Sequence, residues 1–159
     1  MKIGIDVGGV LIRHDGKDQK EDTVFNTEDV RFFVDCKEVL EELKSKGHEL
    51  YIISYCGPKR EEETIKALKE YGIHRIIPEK NWSFVRSRGK KVDSCLQWNI
   101  DIMIDDRQDV HQNLFSKIPN IKGIWFDPPS NAQYSHRRLV LAYNWKDILS
   151  YFSKIKSTK

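Results

Sequence analysis

Short apolar runs alternate along this chain with longer segments in which apolar residues recur at the spacing of a helix. An apolar run of strand length that ends in a glycine, a proline or a polar residue is typical of a buried strand. Such runs lie at residues 2–7, 48–54, 74–78, 100–105 and 121–126. Helices are predicted at residues 58–71, 90–98, 108–117 and 144–155, the last with Asn144 as its cap.

Another helix is predicted over residues 27–46, where the apolar side chains again follow the helical period. Thr27 can cap its first turn, and Gly47 can end it. Residues 14–27 are largely polar and rich in turn formers, so they predict a loop or a short flap. The pattern at residues 79–89 is ambiguous and assigns no element.

Strands that alternate with helices predict an α/β fold, a three-layer Rossmann-like domain with a central, mostly parallel sheet. A length of 159 residues fits one domain, and 39% hydrophobic with 32% charged residues is typical of a globular protein. In such sheets, ligands bind beyond the carboxyl ends of the strands. Candidate chemistry is therefore expected at those ends.

Charge and cysteine content narrow the class of protein. The net charge is +3, but residues 81–159 carry 13 basic and 7 acidic side chains, which suits an anionic ligand. This bias is too small for a nucleic-acid-binding protein, and no apolar run approaches the ~18 residues of a membrane span. Three separated cysteines and the lack of a signal-peptide pattern predict a reducing, cytoplasmic location.

Oxygen-bearing side chains follow three of the predicted strands. Asp6 and Ser54 come at the ends of the first two, and Asp105 with Asp106 comes at the end of the fourth. Carboxylates that converge at one sheet edge repel each other unless a cation lies among them, and oxygen ligands favour Mg²⁺. The Ser54 hydroxyl, before a helix that begins at Pro58, can hold a phosphate. Each residue alone more often serves a turn or a helix cap, but their shared position favours a phosphoryl-transfer site.

Four segments together resemble the haloacid dehalogenase-like (HAD) hydrolase superfamily. They are IDVGGVLI, IISYCG, GKKVDSCLQWNIDIMIDDR and NWKDIL, which span nearly the whole chain. The most specific part is IDIMIDDR, an acidic strand end that follows a lysine and a short helix. The resemblance implies a Mg²⁺-dependent hydrolase that acts on a phosphate ester or a related bond.

The resemblance also implies roles for the residues around the metal. Asp6 is the implied nucleophile and also a magnesium ligand. Asp105 and Asp106 match the acidic pair of the family, of which the first is the more secure ligand. The backbone carbonyl of Gly8 is a further implied ligand, because the family uses a carbonyl at this position.

The resemblance also implies residues that bind the phosphoryl group. Ser54 matches the hydroxyl that binds the transferred phosphoryl group. Lys91, which stands 14 residues before the acidic pair, matches the lysine of the family, with Lys90 as the alternative. Gly9 and Tyr55, which lie next to matched positions, are expected to contact the substrate.

Gly8 departs from the family pattern, because HAD phosphatases have an aspartate there that serves as general acid and base. General acid–base help is worth ~10²–10⁴-fold, so its loss is expected to impair an ordinary phosphomonoesterase. Three explanations remain open. The bond cleaved needs no acid, a flap residue such as His14 or Asp15 supplies one, or the chain binds a phosphorylated ligand or partner without efficient turnover.

The two intervals that hold cap domains in this superfamily have no room for a full cap here. An open site would admit a phosphorylated small molecule or an exposed phosphate on a larger substrate, and another subunit could close it. The basic segment at residues 84–91 either grips the rest of an anionic substrate or forms a solvated loop.

Overall fold

The structure is a computed structural model, and it describes residues 1–13, 23–24 and 30–156 of the chain. In these ranges the strands are β1 Lys2–Ile5, β2 Thr23–Val24, β3 Phe32–Phe33, β4 Glu49–Tyr55, β5 Trp82–Val85, β6 Ile102–Asp105, β7 Lys122–Phe126 and β8 Leu139–Ala142. The α-helices are α1 Cys36–Ser45, α2 Pro58–Glu70, α3 Lys91–Gln97, α4 Gln108–Lys117 and α5 Trp145–Lys156.

Six strands form one sheet in the order β5-β4-β1-β6-β7-β8, and every neighbouring pair is parallel. The short strands β2 and β3 form a separate antiparallel pair. The predicted α/β fold with a parallel central sheet is therefore confirmed. The chain leaves β1 for β4 on one side and places β6 on the other, which makes the carboxyl end of β1 a topological switch point where ligands bind in such sheets.

Helices cover both faces of this sheet. One buried cluster joins Ile5, Ile52 and Ile104 to side chains of α1, α2 and α5. A second cluster joins Ile53 and Met103 to side chains of α3 and α4. Successive side chains of a strand point to opposite faces, so the central strands β4 and β6 contribute to both clusters. This alternation produces the predicted three layers.

The predicted start of the first helix is wrong, because α1 begins at Cys36 and not near residue 27. Phe32 and Phe33 are consecutive buried residues that form β3, and the Phe33 amide donates to the Leu11 carbonyl at 2.9 Å. The predicted cap, Thr27, lies outside the described residues. The predicted end at Gly47 is confirmed, since this glycine adopts a φ of +94° after α1.

The strand predicted at residues 74–78 is also wrong. Ile73–Arg75 forms a single 3₁₀ turn after Gly72, and Ile76 and Ile77 are buried beyond it. A buried turn and a buried strand give the same short apolar run, so periodicity did not distinguish them. The edge strand is instead β5, which lies in the ambiguous segment, and β8 at the other edge had no prediction.

The remaining helices begin where the pattern predicts. Pro58 opens α2, and Gln108 opens α4. The Asn144 side chain caps α5, because its Oδ1 accepts a hydrogen bond from the Asp147 amide at 2.9 Å. Among the described residues, no helix is both long enough and apolar enough to span a bilayer.

Candidate functional site

Three carboxylates meet at the carboxyl end of the sheet. Asp6 directly follows β1, Asp105 ends the adjacent strand β6, and Asp106 comes next. One oxygen from each carboxylate lies within 4.8 Å of the others. Asp6 is 5% exposed and Asp105 is fully buried, while Asp106 is half-buried. The Asp6 amide donates to the Ile104 carbonyl at 3.0 Å, which ties the end of β1 to β6.

Lys91, the first residue of α3, brings a positive charge into this group. Its Nζ lies 3.1 Å from Asp6 Oδ1 and 2.7 Å from Asp105 Oδ2, and the side chain is buried. Lys90, the alternative at this position, is exposed. Lys91 is therefore the lysine that the fold brings to the carboxylates.

The charges of the site perturb each other strongly. Burial raises the pKa of Asp6 well above its ordinary value, and the Asp105 carboxylate adds to this while Lys91 opposes it. Burial alone would lower the pKa of Lys91, but the Asp6 and Asp105 carboxylates outweigh it, so that pKa is raised. Three acidic groups facing one ammonium form an oxygen-only donor set with excess negative charge, which fits a hard divalent cation such as Mg²⁺.

Hydrogen bonds hold Asp105 from its other side. Its Oδ1 accepts from the Arg107 amide at 3.0 Å, and its backbone carbonyl lies 2.9 Å from Nε2 of His111 on α4. Burial lowers the pKa of His111, so the imidazole is neutral and its single N–H donates to that carbonyl. This role of His111 could not be predicted, because no sequence pattern relates a helical histidine to the carbonyl of a strand residue. The Trp125 indole N–H donates to the Asp106 carbonyl at 3.1 Å, and this contact was not predictable from the sequence either.

Ser54 and Tyr55 end β4, which lies beside β1 in the sheet. Ser54 is 5% exposed and stands at the carboxyl end of β4, shortly before the start of α2. Tyr55 is 40% exposed, and the Arg88 guanidinium lies 4.7 Å from the centre of its ring. Both residues thus lie at the carboxyl end of the sheet, where the sequence predicts the substrate.

The chain after β1 folds into a compact turn. The Val7 carbonyl accepts hydrogen bonds from the amides of residues 10–12, at 2.9–3.1 Å. Gly9 has a φ of +81°, which a glycine adopts without strain, and its amide donates to the Ile12 carbonyl at 2.7 Å. The Gly9 amide is therefore already used inside the turn. Gly8 forms a bridge with Ile12 and adds no side chain to the site.

A sequence search gives no match to a protein-family model or to a curated protein. The fold, in contrast, is similar to that of solved HAD-family hydrolases. A haloacid dehalogenase-like family hydrolase from Xanthomonas campestris superposes with a TM-score of 0.67 at 10% identity, over 99% of this chain and 96% of its own.

Two further solved structures have a similar fold. D,D-heptose 1,7-bisphosphate phosphatase from B. bronchiseptica, complexed with magnesium and phosphate, gives a TM-score of 0.66 at 10% identity, with 97% and 98% of the two chains covered. An uncharacterized protein from Listeria monocytogenes serotype 4b gives 0.65 at 14% identity, with 98% of both chains covered. At these identities the similarity establishes the fold.

Proposed function

We propose that this chain is a Mg²⁺-dependent HAD-like hydrolase that cleaves a phosphate ester or a related bond with Asp6 as the nucleophile. The observation that carries the proposal is the Lys91 ammonium held between Asp6 and Asp105, with Asp106 beside them. A nucleophilic carboxylate beside a fixed cation and a metal-binding pair is suited to attack on phosphorus. The magnesium and phosphate bound to the B. bronchiseptica phosphatase support the same chemistry.

Each residue has a defined task in this proposal. Asp6, Asp105, Asp106 and the Gly8 carbonyl would hold Mg²⁺, which supplies Lewis-acid neutralisation of the phosphoryl oxygens when bound. An Asp6 oxygen forms a bond to phosphorus while the bond to the leaving oxygen breaks, and water then releases phosphate from Asp6. The positive charge of Lys91 offsets the negative charges of the attacking Asp6 carboxylate and of the phosphoryl group.

The remaining site residues bind and orient the substrate. The Ser54 hydroxyl orients the phosphoryl group at the start of α2, whose first amides point toward an anion bound there. Gly9, Tyr55 and Lys90 contact the rest of the substrate in this proposal. Tyr55 and Lys90 are exposed, which is consistent with that task. The ligand is a phosphorylated small molecule or an exposed phosphate on a larger substrate.

Gly8 supports a second candidate, a HAD-like protein that binds a phosphorylated ligand or partner with little turnover. Between Val7 and Ile12 the chain carries no side chain that can donate a proton. His14 and Asp15, which could replace the missing acid, lie outside the described residues. In the catalytic proposal, the preferred substrates therefore have leaving groups that depart without protonation.

The chain is proposed to be one HAD-like core domain of the minimal-cap type, with a flap near residues 14–27. Of that flap, only Thr23 and Val24 are described, and they form β2. Between β4 and α3 the chain holds α2, three 3₁₀ turns and β5. An open site of this kind could be closed by another subunit. We also propose a cytoplasmic location for the chain.

Hydrolysis of 4-nitrophenyl phosphate tests the proposal directly. With Mg²⁺ present, the natural chain should release phosphate, and Asp6→Asn should abolish this because an amide cannot attack phosphorus. Asp109→Asn is a matched control, since this exposed carboxylate pairs with Arg107 at 2.9 Å and does not belong to the trio. Mg²⁺ binding without turnover of any phosphate or phosphonate in a broad panel would reject the hydrolase and favour the binding protein.

A further inference from the structure

We infer that Arg88, stacked on Tyr55 at the rim of the site, binds a second anionic group of the substrate. The preferred substrates would then carry a phosphate or carboxylate in addition to the transferred phosphoryl group. This inference rests on the proposed function for the location of the transferred group.

Among the described residues, Arg88 differs from Arg86, Arg107 and Lys91 in forming no salt bridge. Arg86 Nη1 lies 2.8 Å from Glu61 Oε1, Arg107 pairs with an aspartate, and Lys91 is buried against two carboxylates. Arg88 is exposed and makes no ion pair in the described part of the chain, although its charge helps to lower the pKa of Asp109. A ligand can therefore bind the guanidinium without displacing an ion pair.

Tyr55 holds this guanidinium on the side of the sheet where the carboxylates lie. Side chains alternate along a strand, so Tyr55 points to the same face as Ile53, which packs against α3. Asp105 lies two residues after Met103 in β6, so by the same alternation its side chain points to that face as well. The stack of Arg88 on Tyr55 is thus placed over the face from which Lys91 reaches the carboxylates.

Chain connectivity keeps the stack close to the phosphate-binding residues. Tyr55 directly follows Ser54 in β4. Arg88 begins the 3₁₀ turn Arg88–Lys90, which leads directly into Lys91 at the start of α3. Successive Cα atoms lie ~3.8 Å apart, so the Arg88 backbone is within about 11 Å of the Lys91 backbone. This separation suits one small substrate that contacts both residues.

A stacked arginine is prepared to bind an oxyanion. The ring restrains the flat face of the guanidinium, while the N–H groups at its edge remain free to form two parallel hydrogen bonds. Carboxylates and phosphates match this geometry, and a lysine does not reproduce it. Lys90, which is also exposed, adds charge at the same rim.

Calorimetric binding of two phosphonates to the full chain with Mg²⁺ tests the inference without requiring turnover. The pair is phenylphosphonate and 3-carboxyphenylphosphonate, which differ in the second anionic group. The added carboxylate should lower Kd by about tenfold. This factor corresponds to the lower end of the energies typical of hydrogen bonds between charged groups. Arg88→Ala should abolish this gain, and Tyr55→Leu should reduce it.

Two further variants separate a specific contact from a general charge effect. Lys122→Ala removes an exposed positive charge at the start of β7, a position that lies at the amino end of the sheet and away from the carboxylates. This variant should keep the full gain. Arg88→Lys retains the charge but loses the paired hydrogen bonds, so it should retain only part of the gain.

Hydrolysis of phenyl phosphate and 3-carboxyphenyl phosphate then distinguishes this inference from the proposed function. Loss of the gain in Arg88→Ala, without hydrolysis of either ester by the natural chain, would reject the hydrolase and support the subsite. Hydrolysis of both esters with equal binding of the two phosphonates would support the hydrolase and overturn the subsite. A gain that persists in Arg88→Ala, or failure of both phosphonates to bind, would also overturn it.

Discussion

Lys91 reduces the repulsion among the three carboxylates of the site. Its ammonium contacts Asp6 and Asp105, which would otherwise repel each other in a poorly solvated place. Position 8 contributes only backbone. The proposed site therefore has charges that bind and attack a phosphoryl group, but the turn after Asp6 offers no acid for the leaving group.

Gly8→Asp should restore a proton donor to the site. The gain should be largest for esters of weakly acidic alcohols, because general acid help is worth ~10²–10⁴-fold when the leaving group needs a proton. The measurement is kcat for a series of aryl and alkyl phosphates of graded leaving-group acidity. The natural chain should depend steeply on that acidity, and the variant should depend on it weakly.

Gly8→Asn is the matched control for this series, because its side chain has a similar size but cannot act as an acid. The φ of Gly8 lies outside the left-handed region, unlike that of Gly9 at +81°, so neither side chain strains the backbone torsion. A natural chain whose rate hardly changes along the series would contradict the prediction, since it would indicate that another group already supplies the proton.

The packing of α4 on the sheet positions the turn that follows β6. His111 reaches from α4 to the Asp105 carbonyl, and it lies against Gly123 of β7. A Cβ at Gly123 would stand 2.5 Å from His111 Nδ1 and 3.0 Å from Phe115 Cζ. The absence of a side chain at position 123 is therefore what allows α4 to lie this close to the sheet.

Gly123→Ala should destabilise the protein by ~1–3 kcal/mol, the usual cost of adding volume to a packed core. Urea denaturation measures the loss as a lower midpoint at unchanged slope. Gly57→Ala is the control, because a Cβ there meets no atom within 4 Å and the φ is −78°. If Gly123→Ala were as stable as Gly57→Ala, α4 would be free to move away from β7 without cost.

The stability of the whole molecule should depend on pH through His111, which the fold buries in neutral form. Burial lowers the pKa of this imidazole in the folded chain, whereas an unfolded histidine titrates near ~6.5. Below that value the unfolded chain binds more protons than the folded chain, so stability decreases as the pH falls. Above it, the contribution of His111 to stability is fully present.

Urea denaturation in steps from pH 8 to pH 5, with a metal chelator, measures this dependence. Between about pH 6.5 and 5, His111→Gln should lose less stability than the natural chain does. Asp6, whose raised pKa acts in the opposite direction, is present in both proteins, so the comparison isolates His111. Equal slopes for the natural chain and His111→Gln would contradict the prediction.

The sequence by itself determined those parts of the protein that follow from local pattern. Strands β1, β4, β6 and β7 and helices α2, α3, α4 and α5 could be predicted, because each has a clear apolar period and a glycine, proline or polar residue at its ends. The meeting of Asp6, Asp105 and Asp106 could also be predicted. Parallel strands share their carboxyl ends, so residues that follow such strands come together at one edge.

Only the tertiary structure decided the features that depend on contacts between residues far apart in sequence. The edge strands β5 and β8 and the late start of α1 depend on which segments pair, and a short apolar run does not contain that information. The inward position of Lys91 instead of Lys90 depends on the phase with which α3 begins. The contacts of His111 with Asp105 and Gly123 depend on how closely a helix approaches two strands, and only packing of the complete core sets that distance.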